Sequence, residues 1–189
     1  MKILQFLLIS LSHKILKILP YRLIRLLSVP IGTLYFLLTF RSSIKLFKRK
    51  KIFEKLKINY KPLIVKINYT RYWLETLWLT NKNFSKHITP HVEIENQEYV
   101  DKLKKQYPGL IFALPHLGNW EFAIPIGNSI KLNLLAVAEP LSNSYVLNWF
   151  KSLRESLGIE IIIGGKGQNT FDLLVNKLIS GKDICLLSE

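Results

Sequence analysis

The second half of the chain alternates short apolar runs with polar segments of helical pattern, and this alternation constrains the fold more than any other feature. Segments typical of helices lie near residues 119–128, 144–157 and 168–180. Because strands that alternate with helices build βαβ units, we predict an α/β fold with a mostly parallel central sheet flanked by helices. The four apolar runs are LIFALP (110–115), LNLLAVA (132–138), IEIIIGG (159–165) and ICLLS (184–188).

A parallel sheet also predicts where the site lies, because ligands of open α/β sheets bind outside the carboxyl ends of the strands. His116 follows the first apolar run, Glu139 the second and Glu189 the fourth, while a glycine-rich loop follows the third. Arg154 comes from the helical segment before the third run. We therefore expect these side chains near one edge of the sheet.

The stretch LPHLGNWEFA (114–123) contains the chemistry of the first strand end. Pro115 cannot continue a central strand, and Gly118 permits a tight turn. His116 is therefore expected at the end of a strand, with Asn119 as the cap of the following helix. Glu121 would lie in the first turn of that helix, near enough to reach back to the imidazole.

A histidine paired with a carboxylate can act as a general base. The carboxylate bonds one ring nitrogen and fixes the tautomer, which leaves the other nitrogen to take a proton from a hydroxyl. The sequence contains neither GxSxG nor HEXXH, so neither a serine acyl-enzyme nor a zinc protease is indicated. A histidine and an acid five residues apart also occur by chance, and a purely structural role stays an alternative.

The spacing of histidine, four residues and an acid in LPHLGNWEFA resembles the HX4D/E motif of the glycerolipid acyltransferase superfamily. The resemblance is closer to the branch that contains lipid A and phosphatidylinositol mannoside acyltransferases, and it covers roughly residues 95–189. It implies an α/β sheet with a groove, lying peripherally on the cytoplasmic face of the bacterial plasma (inner) membrane. Further similar motifs are AVAEPL (136–141), LRESLG (153–158), IIIGGKG (161–167) and CLLSE (185–189).

The resemblance implies a role for each matching residue. His116 is the implied general base, and Glu121 is the acid that orients it. Glu139 is similar to a family position on the acceptor side of the groove, and Arg154 to a cation near the acceptor or the reaction centre. Glu189 looks like the first acid of a (D/E)R(D/E) motif whose remaining residues are absent.

Several of these residues also have a structural alternative. Glu139 precedes Pro140 and could simply end a strand, and Arg154 with Glu155 could form an exposed helix pair of little energetic value. GGKG lacks the GK[ST] ending of a phosphate loop, which favours a turn beside the groove. Within that turn Lys166 could face a phosphate of the acyl donor, and Asn119 is included among the substrate-binding candidates.

The net charge of +14 is concentrated in the first third of the chain. Residues 1–66 hold 15 lysines and arginines against a single acid, Glu54, whereas residues 67–189 hold 12 basic and 12 acidic residues. The basic stretch is also rich in Leu, Ile and Phe, which indicates an anionic membrane surface as its partner. Nucleic acid is disfavoured because the basic residues neighbour aliphatic runs; a solvated basic helix is the other alternative.

The pattern of the first 60 residues predicts membrane association without a clean span. The longest uncharged stretch, residues 26–40, has 15 residues and contains Pro30, whereas a spanning helix needs about 20. We predict monotopic attachment by short helices broken at Pro20 and Pro30, with a tilted or re-entrant insertion of residues 20–40 as the alternative. A basic amphipathic helix is expected over 41–57. The aromatic stripe of a helix at 63–79 favours core packing over an interfacial belt.

These features predict a membrane-associating helical region over 1–60 and an α/β acyltransferase domain over 61–189. Because the sequence ends at the tip of an expected strand, we also expect that domain to be incomplete at its C-terminus. Cys185, the single cysteine, excludes a disulfide framework and lies in an apolar run, so a small buried hydrophobe is expected. No metal or redox cofactor is expected.

The resemblance implies transfer of a fatty acyl chain from acyl-CoA or acyl carrier protein to a sugar hydroxyl of a glycolipid. GNWE, AVAEPL and the LRESLG helix favour phosphatidylinositol mannoside as that acceptor. Lipid A acylation is the alternative within the family. A non-catalytic membrane-binding homologue or fragment is the alternative from another class of protein.

Overall fold

The computed structural model describes residues 1–39, 52–55, 57, 61–165 and 169–188. The chain divides into two compact units, one of Ser12–Asn81 and one that combines Met1–Leu11 with Lys82–Glu189. The predicted boundary at residues 60 and 61 stays a prediction. Most of the expected amphipathic helix at 41–57 lies outside the described residues.

Three helices account for most of the described part of the unit Ser12–Asn81: the end of α1 (Lys2–Leu16), then α2 (Tyr21–Leu38) and α3 (Pro62–Trp78). Pro20 precedes α2 as predicted, but Pro30 lies inside α2, so the predicted break there is wrong. A proline removes one helical hydrogen bond, and the turns on both sides continue the helix here. Among the described residues, α2 alone is long and apolar enough to cross a membrane.

The aromatic stripe of α3 packs mainly inside this unit. Trp78 is fully buried, and its indole N–H donates to the carbonyl oxygen of Leu19 at 2.9 Å. Leu77 is buried as well, while Tyr69 is half exposed. The predicted core packing is therefore confirmed for Leu77 and Trp78, and a buried indole with a bonded N–H is the usual arrangement.

The second unit is an α/β structure, as predicted. Helices and strands alternate from β1 onward, with bounds within a few residues of the expected runs. The elements are α4 (Phe84–Ile88), a 3-10 turn (Thr89–His91), α5 (Gln97–Gln106), β1 (Ile111–Pro115), a 3-10 turn (Trp120–Phe122), α6 (Ala123–Ser129), β2 (Leu134–Ala138), α7 (Ser144–Ser156), β3 (Glu160–Ile163), α8 (Thr170–Ile179) and β4 (Asp183–Ser188).

The four strands form one sheet in the order β1-β4-β2-β3, and every pairing is parallel. The last strand along the chain therefore lies between the first two. In register, Ile111 of β1 is level with Ile184 of β4. All four carboxyl ends consequently point to the same edge of the sheet, which we call the carboxyl edge.

The core of the sheet consists of aliphatic side chains from α6 and the strands. Ile124, Leu134, Ile159 and Ile161 are buried in one cluster, and Cys185 packs against it. Burial raises the pKa of the Cys185 thiol to about 11. The expectation of a small apolar role for this cysteine therefore agrees with its surroundings.

The opposite, amino edge of the sheet is held by Asp183, whose side chain is fully buried at the start of β4. Its carboxylate accepts hydrogen bonds from Lys104 Nζ at 2.8 Å, from the Leu110 N–H at 3.0 Å and from the Asn133 N–H at 2.8 Å. One carboxylate thus joins the residues that lead into β1, β2 and β4.

Candidate active site

The segment after β1 has the turn that its sequence predicts. His116 follows the strand and is exposed, and Gly118 adopts the left-handed conformation with φ of +60°. The side-chain oxygen of Asn119 accepts a hydrogen bond from the Glu121 N–H at 3.2 Å. Asn119 therefore caps the 3-10 turn Trp120–Phe122 as expected, since an asparagine at this position satisfies a backbone donor.

Glu121 is buried in the protein interior, with 1% of its surface exposed. Its carboxylate binds the guanidinium of Arg154, with Nη2 to Oε1 at 2.6 Å and Nε to each carboxylate oxygen at 3.2 Å. A buried carboxylate is tolerated only when it is paired and hydrogen-bonded, and arginine offers a planar fork for this purpose. The structure thus brings two of the predicted site residues into direct contact.

Two aromatic rings flank Arg154. The guanidinium carbon lies 5.1 Å from the ring centre of Trp120 and 5.6 Å from that of Phe150, distances typical of cation–π contacts. The alternative of an exposed Arg154–Glu155 pair is wrong, because Glu155 instead meets Lys151 on the surface at 3.6 Å. Arg154 is a partly buried cation that joins α7 to the turn after β1.

The remaining described candidates lie along the carboxyl edge. His116 follows β1 and Glu139 follows β2, and both are exposed. With β4 between these strands, their ends are two strand spacings apart, about 10 Å. Gly164 follows β3 at this edge, and its N–H donates to Ala138 O at 2.9 Å.

Lys166 and Glu189 lie outside the described residues, and their roles stay predictions. The catalytic roles of His116 and Glu121 and the substrate contacts of Asn119, Glu139 and Arg154 stay predictions too. In the described part of the chain, no three histidine, cysteine, aspartate or glutamate side chains are grouped so that they could hold a metal ion.

Three residues near the site were not predicted from the sequence. Trp120 and Phe150 flank Arg154, and the buried Asn143 caps α7 by accepting the Tyr145 N–H at 3.2 Å. Asn143 carries a recognisable signal, because an asparagine before a helical pattern is a common cap. No comparable signal exists for the aromatic contacts, which depend on tertiary packing.

Comparison with known proteins identifies a family for the chain. A family model described as bacterial lipid A biosynthesis acyltransferase matches residues 2–189. The chain is 30% identical over 125 residues to a phosphatidylinositol mannoside acyltransferase of Mycobacterium tuberculosis (strain CDC 1551 / Oshkosh), covering 65% of this chain and 39% of that protein. A protein of the same name from Mycolicibacterium smegmatis is 29% identical over 126 residues, covering 65% of this chain and 40% of that protein. The matched region thus spans about two fifths of the length of these relatives.

Proposed function

Because the chain belongs to the bacterial lipid A biosynthesis acyltransferase family, we propose that it transfers a fatty acyl chain from a thioester donor to a sugar hydroxyl of a glycolipid. The donor is acyl-CoA or acyl carrier protein. The observation that carries this proposal is the family match together with an exposed histidine, His116, at the carboxyl end of β1. This edge is where α/β sheets bind their ligands.

In the proposed reaction His116 removes the proton from the sugar hydroxyl, and the oxygen attacks the thioester carbonyl. The carbon–sulfur bond then breaks, the new ester bond remains on the acceptor, and the imidazolium returns its proton to the departing thiolate. Backbone N–H groups or basic side chains hold the negative oxygen of the tetrahedral intermediate. No covalent intermediate on the protein is required.

Glu121 is the proposed orienting acid for His116. Its carboxylate is fixed by Arg154 through three N–H contacts of 2.6 to 3.2 Å. A carboxylate has about four acceptor sites, so binding to Arg154 is compatible with a further bond to the imidazole. Arg154 then has a positioning role in addition to the acceptor contact implied by the resemblance.

The proposed substrate contacts are distributed along the carboxyl edge. Glu139, which is exposed after β2, binds hydroxyls on the acceptor side of the groove, and Asn119 contributes an amide close to His116. Lys166 faces a phosphate of the donor, and Glu189 belongs to the acidic motif that follows β4. These last two assignments rest on the resemblance of IIIGGKG and CLLSE.

Phosphatidylinositol mannoside is the acceptor that we propose. The similar proteins from two mycobacterial species are named as acyltransferases of this glycolipid, which supports the choice. Lipid A is the second candidate, because the family description names its biosynthesis. Both acceptors present sugar hydroxyls and lipid chains to the same edge.

We further propose that the protein attaches peripherally to the cytoplasmic face of the inner membrane. Residues 1–66 hold 15 basic residues and a single acid, and α1 and α2 expose many leucine and isoleucine side chains. Anionic headgroups attract such a basic segment, and the exposed aliphatic groups favour the acyl region. This arrangement would place the glycolipid acceptor beside the enzyme.

Acyl transfer from radiolabelled donors to membrane glycolipids tests the function. The protein is expressed from its native gene and compared with two variants. One is His116→Ala, and the other is His91→Ala, which replaces a second exposed histidine as the matched control. Product with the parent and with H91A but not with H116A supports the proposal, and its chromatographic mobility identifies the acceptor. Equal activity of H116A would contradict the role of His116.

The alternative from another class is a membrane-binding homologue without catalysis. It predicts binding to anionic vesicles but no product from any of the three proteins with either acyl-CoA or acyl carrier protein donors. Binding of oligonucleotides at physiological salt, with no binding to vesicles, would contradict both readings.

A further inference from the structure

A single buried side chain joins the first turn of α1 to the start of α7. The amide nitrogen of Asn143 donates to the carbonyl oxygen of Lys2 at 2.9 Å and to Oε1 of Gln5 at 3.0 Å. Its side-chain oxygen accepts from the Tyr145 N–H at 3.2 Å and thereby caps α7. All these groups belong to the same compact unit, and Asn143 satisfies donors and acceptors on two helices at once.

A second contact supports the first. The ring of Phe6 lies 6.1 Å from that of Tyr145, so aromatic packing accompanies the hydrogen bonds. Asn143 itself is buried, and polar contacts made by buried groups are costly to break because the partners stay desolvated. Residues 2–11 of α1 are therefore fixed to the α/β unit at one defined point.

That point lies close to the carboxyl edge of the sheet. Asn143 follows Glu139 by four residues, and Glu139 follows the last residue of β2. The first turns of α1 are consequently docked on the connection that carries a proposed acceptor-binding residue. No feature of the sequence places residues separated by 141 positions in contact in this way.

The other side of residues 2–11 is apolar and exposed. Leu4 and Leu8, one helical turn apart, expose 61% and 56% of their surface, and neighbouring side chains are similarly open. The charged residue of this segment is Lys2, and residues 1–39 hold five basic residues and no acid. Exposed aliphatic groups combined with positive charge fit an anionic bilayer surface. The exposed aliphatic side chains of this segment are Ile3, Leu4, Leu7, Leu8 and Leu11.

We propose that residues 2–11 contact the lipid bilayer beside the site, and we call this segment the lipid-seated rim. Asn143 fixes the rim to the carboxyl edge of the sheet, and we call this side chain the latch. The latch thereby keeps the carboxyl edge of the sheet at a constant distance from the acyl region of an anionic bilayer. A glycolipid acceptor whose tails stay in the bilayer then presents its sugar to the residues of that edge. The catalytic consequence rests on the proposed function, whereas the latch and the lipid contact do not.

Vesicle binding tests the lipid contact without reference to catalysis. The probe is a vesicle of phosphatidylglycerol and phosphatidylcholine, and the variant is the pair Leu4→Glu and Leu8→Glu. The matched control is the pair Phe171→Glu and Val175→Glu, which are also exposed and one turn apart on α8. We expect about tenfold weaker binding or more for the first pair, since burial of two leucines is lost, and little change for the second. Equal effects of the two pairs, or no effect of either, would overturn the lipid-seated rim.

The latch is tested with Asn143→Ser. Serine is as good a cap as asparagine, so α7 keeps its cap while the amide donor to α1 is lost. The matched control is Asn169→Ser, which makes the same exchange at the cap of α8. Spin labels are attached at Ser10→Cys and Asn148→Cys in a Cys185→Ala background. Pulsed electron paramagnetic resonance then measures the distance between α1 and α7 in the vesicle-bound protein.

We expect a narrow distance distribution for the parent and for N169S, and a broadened one for N143S. An unchanged distribution in N143S would overturn the latch. Phe6→Ala serves as a second variant, because it weakens the same junction without touching the cap. A broadened distribution in F6A supports the junction, and an unchanged one would overturn the contribution of the Phe6–Tyr145 contact to it.

Measurements of acyl transfer then distinguish a failure of the latch from a failure of the proposed function. In N143S we expect binding to vesicles within twofold of the parent, an unchanged KM for the acyl donor, and at least fivefold slower transfer to a bilayer-embedded acceptor. Retained transfer despite a broadened distance distribution would overturn this role of the latch. An absence of transfer by the parent itself would contradict the proposed function while the distance measurement still decides the latch.

Discussion

Arg154 holds the buried carboxylate of Glu121 by three N–H contacts of 2.6 to 3.2 Å, across 33 positions of the chain. The contact joins the helix before β3 to the turn that follows His116. Because removal of one partner leaves the other charge desolvated, this pair is a sensitive point of both stability and site geometry.

Replacement of Arg154 by leucine should destabilise the α/β unit by about 3–5 kcal/mol, because Glu121 stays buried without its cation. Replacement of both residues by leucine should recover much of that loss, since an apolar pair carries no desolvation penalty. Denaturant unfolding of the two single variants and the double variant measures the coupling. Additive losses would contradict an interaction between the two side chains.

Asp183→Ala should be severely destabilising. The substitution leaves the Leu110 and Asn133 N–H groups and the Lys104 ammonium without the carboxylate that they share, which costs about 3–5 kcal/mol. Asp101→Ala, at an exposed position of α5, is the control and should change stability by less than about 0.5 kcal/mol. Thermal unfolding compares the two variants, and similar melting temperatures would refute this role of Asp183.

The stability of the α/β unit should depend on pH through Glu160. A hydrogen bond from Lys177, which contributes most, and a second one from Lys182 hold the pKa of this carboxyl below its ordinary value of 4.5. A lowered pKa in the folded state contributes stability above the unfolded value, and that contribution disappears as the pH falls through the folded value.

The variant Glu160→Gln lacks both ion pairs at every pH. Its melting temperature should lie below that of the parent at about pH 6, and the gap should close as the pH falls below 4.5 and through the lowered pKa of the folded state. The gap is small, because the side chain is partly exposed. A gap that stays constant over this range would exclude Glu160 as the titrating group.

Gly109→Ala should also destabilise the unit, because a Cβ atom there would lie 2.2 Å from Lys182 O and 2.6 Å from Leu178 O. Both contacts are with backbone, which cannot move as a flexible side chain does, and overpacking of this kind costs about 1–3 kcal/mol or more. Gly165→Ala is the matched control, since its Cβ would meet nothing within 4 Å. Equal unfolding midpoints for the two variants would contradict the close approach.

The alternation of apolar runs and helical segments predicts the strands and helices of the α/β unit well, because each element has its own local period. The order β1-β4-β2-β3 is not predictable in this way. The four apolar runs are similar in composition, so each strand would bury its side chains equally well beside any of the others. The prediction of parallel strands is confirmed. The physical reason is that a helical crossover between two strands brings the chain back to run in the same direction.

The candidate site is predicted in part. Asn119 caps the turn as expected, because a cap depends on residues two or three positions apart. Glu155 is adjacent to Arg154 in sequence, but the actual partner is Glu121, which only the packing of α7 against the turn brings near. Local rules thus identify residue types and positions, whereas long-range pairs require the folded chain.

The position of β4 in the middle of the sheet has a consequence for synthesis on the ribosome. β1 pairs with β4, and Ile111 and Ile184 in that pairing are separated by 73 residues. At typical elongation rates the first strand therefore waits about 4 to 15 s for its partner, with its apolar side chains and backbone groups unpaired. The nascent chain should consequently be prone to aggregation during this interval and depend on chaperones or on contact with the membrane surface until β4 inserts.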